Sequence, residues 1–243
     1  MNSPTNDNKQ KVVLITGATS GIGLALYHKY IDLGYQVIAC GRNIAKLDEH
    51  NSKASLKLVF DISDYESIAQ AAELVKHIDI FILNAGTCLY IDNAKKFDGR
   101  AFREVINTNL GSMGGMLESF LSKLSQGGQI AFVSSSATIL PFSRAEAYGA
   151  SKAGLDYLAN SLRIDLAKDE IEVCLIHPGF VKTPLTDKNQ FSMPFLISAE
   201  QAAERIVAGI KRRKQYLHFP KRLTLTLKLL ALLPRSLSNA LFS

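Results

Sequence analysis

What this 243-residue chain has little of already excludes several classes of protein. It carries three cysteines, Cys40, Cys88 and Cys174, an odd count without metal-site spacing. That argues against a disulfide framework or a metal centre and for a reducing, cytoplasmic setting. The leucine-rich stretch Leu223 to Leu233 falls short of the ~20 residues a membrane-spanning helix needs. Residues 1–10 are polar and lack the apolar core of a signal peptide, so they read as a disordered leader. Acidic residues stop at Glu204. Arg205 to Ser243 holds nine Lys or Arg and no Asp or Glu, so at a net charge of +6 the rest of the chain is net negative. Few aromatics beyond Tyr216 and Phe219 interleave with these cations, which argues against nucleic-acid binding. His177, at a strand end before Pro178, has no second ligand in sight and reads as structural.

What is present is an alternating α/β pattern. At 47% hydrophobic residues the chain can bury a sizeable core, and neither repeats nor low-complexity linkers interrupt it. Short strand-like runs occur near Val12, Val37, Leu58, Ile80, Ile130, Val173 and Tyr216, with helical stretches between them. That alternation predicts a Rossmann-like, doubly wound parallel sheet of about seven strands with helices on both faces. Residues 11–219 would form one domain, followed by a basic, leucine-rich tail over 220–243.

Two local patterns carry chemistry. The first strand, Val12 to Ile15, runs into Thr16-Gly17-Ala18-Thr19-Ser20-Gly21-Ile22-Gly23 and then into a helix. Strand, glycine-rich turn and helix make a phosphate cradle. Gly17 permits the tight turn, while Gly21 and Gly23 let backbone approach a pyrophosphate at the helix N-terminus. Farther on, Tyr148 and Lys152 stand four apart in a predicted helix, Ala147 to Ala167, and so share one face. An ammonium about 4–5 Å from the phenol would favour the phenolate by up to roughly 4 kcal/mol, or about three pKa units.

The glycine spacing and the Tyr-x-x-x-Lys pair together resemble the short-chain dehydrogenase/reductase (SDR) family, classical type. The resemblance spans Lys11 to Thr183 and keeps the family's motif order. Asn84-Ala85-Gly86 follows the strand Ile78 to Leu83. Asn109 lies in Asn107-Thr108-Asn109-Leu110-Gly111. Ser135 precedes Tyr148 by thirteen residues, and Pro178-Gly179 with Thr183 follows the strand Val173 to His177. The resemblance implies a catalytic set of Asn109, Ser135, Tyr148 and Lys152. Tyr148 would be the general acid or base; Lys152 would lower its pKa and hold the nicotinamide ribose. Ser135 would stabilise the substrate oxygen, and Asn109 would keep a water in the proton relay behind Lys152. It also implies cofactor contacts from Gly17, Thr19, Ser20, Gly21, Ile22, Gly23, Asp61, Asn84, Ala85, Gly86, Pro178, Gly179, Val181 and Thr183. Asp61 would lie beside the adenine, or equally cap the next helix.

Cofactor choice follows from a missing carboxylate. An NAD site places an acid at the end of the second strand. Here that strand, Gln36 to Cys40, is followed by Gly41-Arg42-Asn43. Arginine's fork pairs with a 2′-phosphate, and one charge-assisted bond of about 1.5–3 kcal/mol gives roughly ten- to hundred-fold preference. The expected cofactor is NADP(H).

Substrate and partners are read from the C-terminal third. Pro184 to Ile197, with Phe191, Met193, Pro194, Phe195 and Leu196, would form an apolar lid over a cleft that Leu140, Pro141 and Phe142 also line. A hydrophobic carbonyl or alcohol is the expected substrate. The leucine segment, drawn as a helix with Thr224, Lys228 and Ala231 on its polar side, suggests an interfacial anchor on anionic lipid at the inner face of a membrane. Packing over the cleft, packing against a second subunit, and continuation as a strand are the alternatives. No small, glycine-containing C-terminal turn is present for a tetramer, so a homodimer is expected. The contrasting reading is a non-catalytic NADPH-binding scaffold that uses its basic tail to bind a partner.

Overall fold

The computed structural model describes residues 10–189 and 191–234. Its frame is a seven-stranded parallel sheet: β1 (Val12–Thr16), β2 (Gln36–Gly41), β3 (Leu56–Val59), β4 (Ile78–Leu83), β5 (Leu124–Val133), β6 (Glu172–Pro178) and β7 (Tyr216–Phe219). The order across the sheet is β3-β2-β1-β4-β5-β6-β7. The chain therefore winds outward from β1 in one direction and from β4 in the other. The crevice between those two strands, at their carboxyl ends, is where a doubly wound sheet binds ligands.

Strand β1 shows why the sheet needs helices on both sides. All five of its residues are buried, and side chains alternate between faces. Val12 and Leu14 enter one core with Ile68, Met113, Met116, Phe120 and Leu155. Those residues belong to or flank α3 (Tyr65–Glu73), α5 (Ser112–Phe120) and α6 (Glu146–Asp165). Val13 and Ile15 enter the opposite core with Leu26, Tyr30, Leu47, Ala203 and Ile206. Here the helices are α1 (Gly21–Asp32), α2 (Ile44–His50) and α7 (Ala199–Lys211), and α4 (Gly99–Ile106) packs on α6. The capping box that opens α7 is formed: Gln201 N donates to Ser198 Oγ, and Ser198 N donates to Gln201 Oε1, both at 3.2 Å.

Three details depart from expectation. Strand β5 begins at Leu124, well before Ile130, and its register against β4 shifts across Gly127 (φ +71°). Asn109 lies in a single π-helical turn, Asn107–Gly111, between α4 and α5. Such turns concentrate at functional sites. The leucine segment forms a helix, α8 (Lys221–Leu230), and not a strand. Its polar grouping is also inverted. Thr224 is fully buried, with its hydroxyl 2.7 Å from His218 Nδ1. Leu223 and Leu227 pack on Leu140, with Phe142 and Phe180 alongside, while Leu225 and Leu229 point outward. Inner-face packing decides the orientation, and residue type alone does not reveal it. The sequence expectations for residues 1–9 and for Arg235 to Ser243 fall outside the described residues.

Candidate active site

The phosphate cradle is built by close backbone contacts. Gly17 and Gly21 both have positive φ, +67° and +51°. A Cβ on Gly21 would sit 2.9 Å from Thr183 Cγ2, so this glycine holds the turn against the loop after β6. Gly23 acts differently from expectation: its Cβ would lie 2.1 Å from the Gly17 carbonyl oxygen. It lets α1 seat on the turn, and it does not line the cleft. Thr16, which sequence reasoning passed over, fixes the neighbouring strand end. Asn84 N and Ala85 N donate to its Oγ1 at 2.9 and 3.0 Å, and Asn84 Nδ2 donates to its carbonyl at 3.0 Å.

Gly17, Thr19, Ser20, Gly21 and Ile22 open into one cleft with Arg42, Asn84, Ala85, Gly86, Ser135, Tyr148 and Lys152. Pro178, Gly179, Val181 and Thr183 close its far side. Of the sequence-predicted residues, Gly23, Asp61 and Asn109 are not on its wall. Asp61 Oδ1 accepts from Ser63 N and Oγ at 2.8 and 2.6 Å, and its other oxygen lies 3.5 Å from Arg42 Nη1. These contacts, the Ser63 hydroxyl foremost, hold its carboxyl below the ordinary range. The cap of α3 is Asp64, not Asp61.

Asn109 is buried behind the wall. Its Oδ1 accepts from Thr87 N at 2.8 Å, while Nδ2 donates to Thr87 O and Ser151 Oγ, both at 2.9 Å. It ties the loop after β4 to α6, the helix that carries Tyr148 and Lys152. Ser151 could not be found from sequence, because its partner lies 42 positions away.

Tyr148 is half-buried and shares the cleft wall with Ser135. The expected lowering of its pKa is absent. Burial outweighs the opposing influence of the Ser135 hydroxyl, and the phenol is pushed up to about 12. Lys152 Nζ lies 5.9 Å from the Tyr148 ring centroid and donates to Val133 O at 2.8 Å. Burial pushes the lysine itself down to about 8, against the opposing pull of Asp156. The site therefore holds a phenol that keeps its proton at neutral pH beside an amine close to losing one.

Phe191, exposed like Phe195 and Leu196, makes edge contacts with Tyr90 (6.1 Å) and Phe180 (6.0 Å). Leu140 and Phe142 lie beneath α8 and not on the cleft wall. Tyr90 was not singled out in the sequence. Its hydroxyl donates to Asn189 Oδ1 at 2.8 Å, which links the loop after β4 to the lid segment.

Known proteins resemble this chain in sequence and in fold. An uncharacterized oxidoreductase of Myxococcus xanthus is 31% identical over 242 residues, 95% of each chain. A short chain dehydrogenase from Burkholderia cenocepacia in complex with NADP superposes with a TM-score of 0.86 at 24% identity, covering 97% of this chain and 98% of that one. A short chain dehydrogenase/reductase from Burkholderia phymatum in complex with NAD gives 0.81 at 20% identity, over 91% and 92%. A family model described as short chain dehydrogenase matches residues 11–193. With the model covering most of the chain, this protein is a member of the short chain dehydrogenase family of oxidoreductases.

Proposed function

We propose that the protein is an NADP(H)-dependent carbonyl reductase, working on an apolar ketone or the matching secondary alcohol. The observation that carries this reading is that Tyr148, Ser135 and Lys152 line the same cleft as the glycine cradle. The cradle fits a dinucleotide: Gly17 and Gly21 keep side chains out of the turn, and the N-terminus of α1 faces the cleft. Arg42, largely exposed at the rim, suits a 2′-phosphate, and Gly41 before it leaves room. The fold is shared by NADP- and NAD-bound relatives, so the choice rests on these two residues.

The bound cofactor would supply the hydride. Tyr148, protonated at neutral pH, donates its proton to the substrate oxygen. Ser135 donates a hydrogen bond to that oxygen as negative charge grows. Lys152 holds the ribose hydroxyls and, while cationic, favours the phenolate that Tyr148 leaves behind. Asn109 keeps α6 in register with the loop after β4. Phe180 and Phe191 exclude water and favour an apolar substituent.

The reading extends to a cytoplasmic homodimer. Tyr157 and Ile164 on α6 are each 79% exposed and would be covered in it. The outward leucines of α8, flanked by Lys221, Arg222 and Lys228, suit peripheral contact with the inner face of an anionic membrane. Among the described residues no helix is long and apolar enough to cross one.

Tyr148→Phe is the test. Turnover of apolar ketones should fall by roughly 10²–10⁴, the usual contribution of a general acid, with NADPH affinity kept. Unchanged turnover would overturn the mechanism. A biological role that survives the substitution intact would point to an NADPH-binding scaffold.

A further inference from the structure

Behind the cleft runs a buried polar chain that the proposed chemistry does not use. Asp156 lies one helical turn after Lys152 on α6, and its carboxylate touches the ends of two strands. Oδ1 accepts from Ser134 Oγ at 2.5 Å, and the same hydroxyl lies 3.3 Å from the Lys152 carbonyl oxygen. Oδ2 is 2.9 Å from His177 Nε2, an ion-pair distance off the line of a hydrogen bond. His177 Nδ1 is 3.1 Å from the Tyr216 hydroxyl, and the two rings meet edge to face. Tyr216 stacks on His218 at 5.2 Å and lies under Lys228 Nζ at 4.5 Å. His218 in turn bonds Thr224 inside α8.

Each anchor adjoins a residue of the site. Ser134 precedes Ser135, His177 precedes Pro178-Gly179, and Asp156 follows Lys152 by one turn. The Asp156 side chain is 81% hidden from solvent, and the Ser134 hydroxyl and the His177 ring meet its two oxygens. We propose that Asp156 is a positioning residue for Lys152: it locks α6 to the carboxyl ends of β5 and β6 and supplies the counter-charge that keeps Lys152 an ammonium, with His177 carrying this clamp to β7 and α8. This rests on the reading of Lys152 given above.

Direction follows from charge. The titratable groups facing this chain are Lys152, Cys88, Tyr216, His218, Lys221 and Lys228. Among the influences on Lys152, burial acts first and drives off the proton, and the Asp156 carboxylate is the largest opposing one. His218 is already held near 4 by burial and by the cations around it, so it stays neutral at working pH. Replacing Asp156 by a neutral residue should let Lys152 lose its proton at lower pH.

The experiment compares Asp156→Asn and Asp156→Glu in the full chain. It reads NADPH affinity by the cofactor's fluorescence, kcat/KM for reduction from pH 6 to 9, and thermal stability. For Asp156→Asn the alkaline fall of affinity and of kcat/KM should move down by about one pH unit, an added loss of roughly fivefold at pH 8 relative to pH 6. Asp156→Glu, which retains the charge, should keep the native profile. Asp156→Ser replaces Asn as the neutral variant if Asn does not fold. A loss of equal size at every pH, or the same shift in the Glu variant, would overturn the proposal. Tyr148→Phe is run alongside: if it retains turnover, the catalytic assignment fails, while the affinity profile still reports on Asp156.

Discussion

The central crevice of this sheet and its β6–β7 end shape the site by different means. At the β1–β4 crevice the decisive contacts are backbone ones. Gly17, Gly21 and Gly23 leave room where a Cβ would strike Ala85, Thr183 or the Gly17 carbonyl. At the β6–β7 end the decisive contacts join side chains far apart in sequence: Ser134 to Asp156 and His177 to Tyr216. The first kind of contact restricts which residue can stand at a position. The second restricts a pair, and either member alone looks ordinary. Substitutions should therefore act sharply and locally in the crevice, and through charge and packing at the β6–β7 end.

The largest effect belongs to Gly23→Ala. A Cβ 2.1 Å from a carbonyl oxygen and 2.6 Å from Asn84 Nδ2 cannot be absorbed by a rotamer change. NADPH binding should weaken by at least about a hundredfold, an α1 displacement worth roughly 2.7 kcal/mol in lost contacts. A fluorescence titration checks this. Near-native affinity would show that the turn is softer than its glycines imply.

Next comes cofactor preference. Gly41→Asp with Arg42→Ala should swing the NADPH/NADH ratio of kcat/KM by roughly ten- to hundred-fold toward NADH, the size of one charge-assisted bond. The Arg42–Asp61 contact at 3.5 Å partly occupies the guanidinium, which favours the low end of that range. A double variant that still prefers NADPH would move the phosphate site away from the end of β2.

The same contrast explains which features are legible in the amino-acid sequence and which are not. The seven strands are legible because parallel strands buried on both faces must be largely apolar, as Val12 to Ile15 and Ile80 to Leu83 are. The cradle is legible because glycine is the residue such a turn requires. Tyr148 and Lys152 are legible as a pair because a helix fixes their spacing, but the effect of the lysine is not. Its Nζ is taken by Val133 O, and burial rather than the ammonium governs the phenol. Asp61 passes for a cap because sequence cannot tell which of two nearby acids, Asp61 or Asp64, turns toward the helix. The inward face of Thr224 depends on a partner, His218, whose approach only the fold provides.

A third prediction joins the two regions through Lys152. Burial holds this lysine near 8, so it is cationic at neutral pH and loses its proton as the pH rises past that value. The ribose contact and the stabilised phenolate both need the cation. Reduction should fall above pH about 8, approaching tenfold per unit. Tyr148, pushed up to about 12, should add no limb of its own between pH 6 and 9. A flat profile across that range would mean that neither the hold on the ribose nor the phenolate depends on the charge of Lys152.

The smallest effect on stability, and the most informative about the tail, separates the two faces of α8. Leu227 is buried against Leu140, Phe142 and Phe180, so Leu227→Ala should cost about 2 kcal/mol in a denaturant titration. Leu225 and Leu229 are 55% and 67% exposed, and replacing both by Ser should change stability by no more than about 0.5 kcal/mol. Their effect should appear elsewhere. Flotation with vesicles of mixed neutral and anionic phospholipid should carry the native protein at low salt, less of it at high salt, and little of the double variant. A native protein that does not float at low salt would leave α8 as a cover for Leu140, Phe142 and Phe180 alone. Its outward leucines would then be covered by a second copy of the chain, and the double variant should sediment as a smaller species than the native protein.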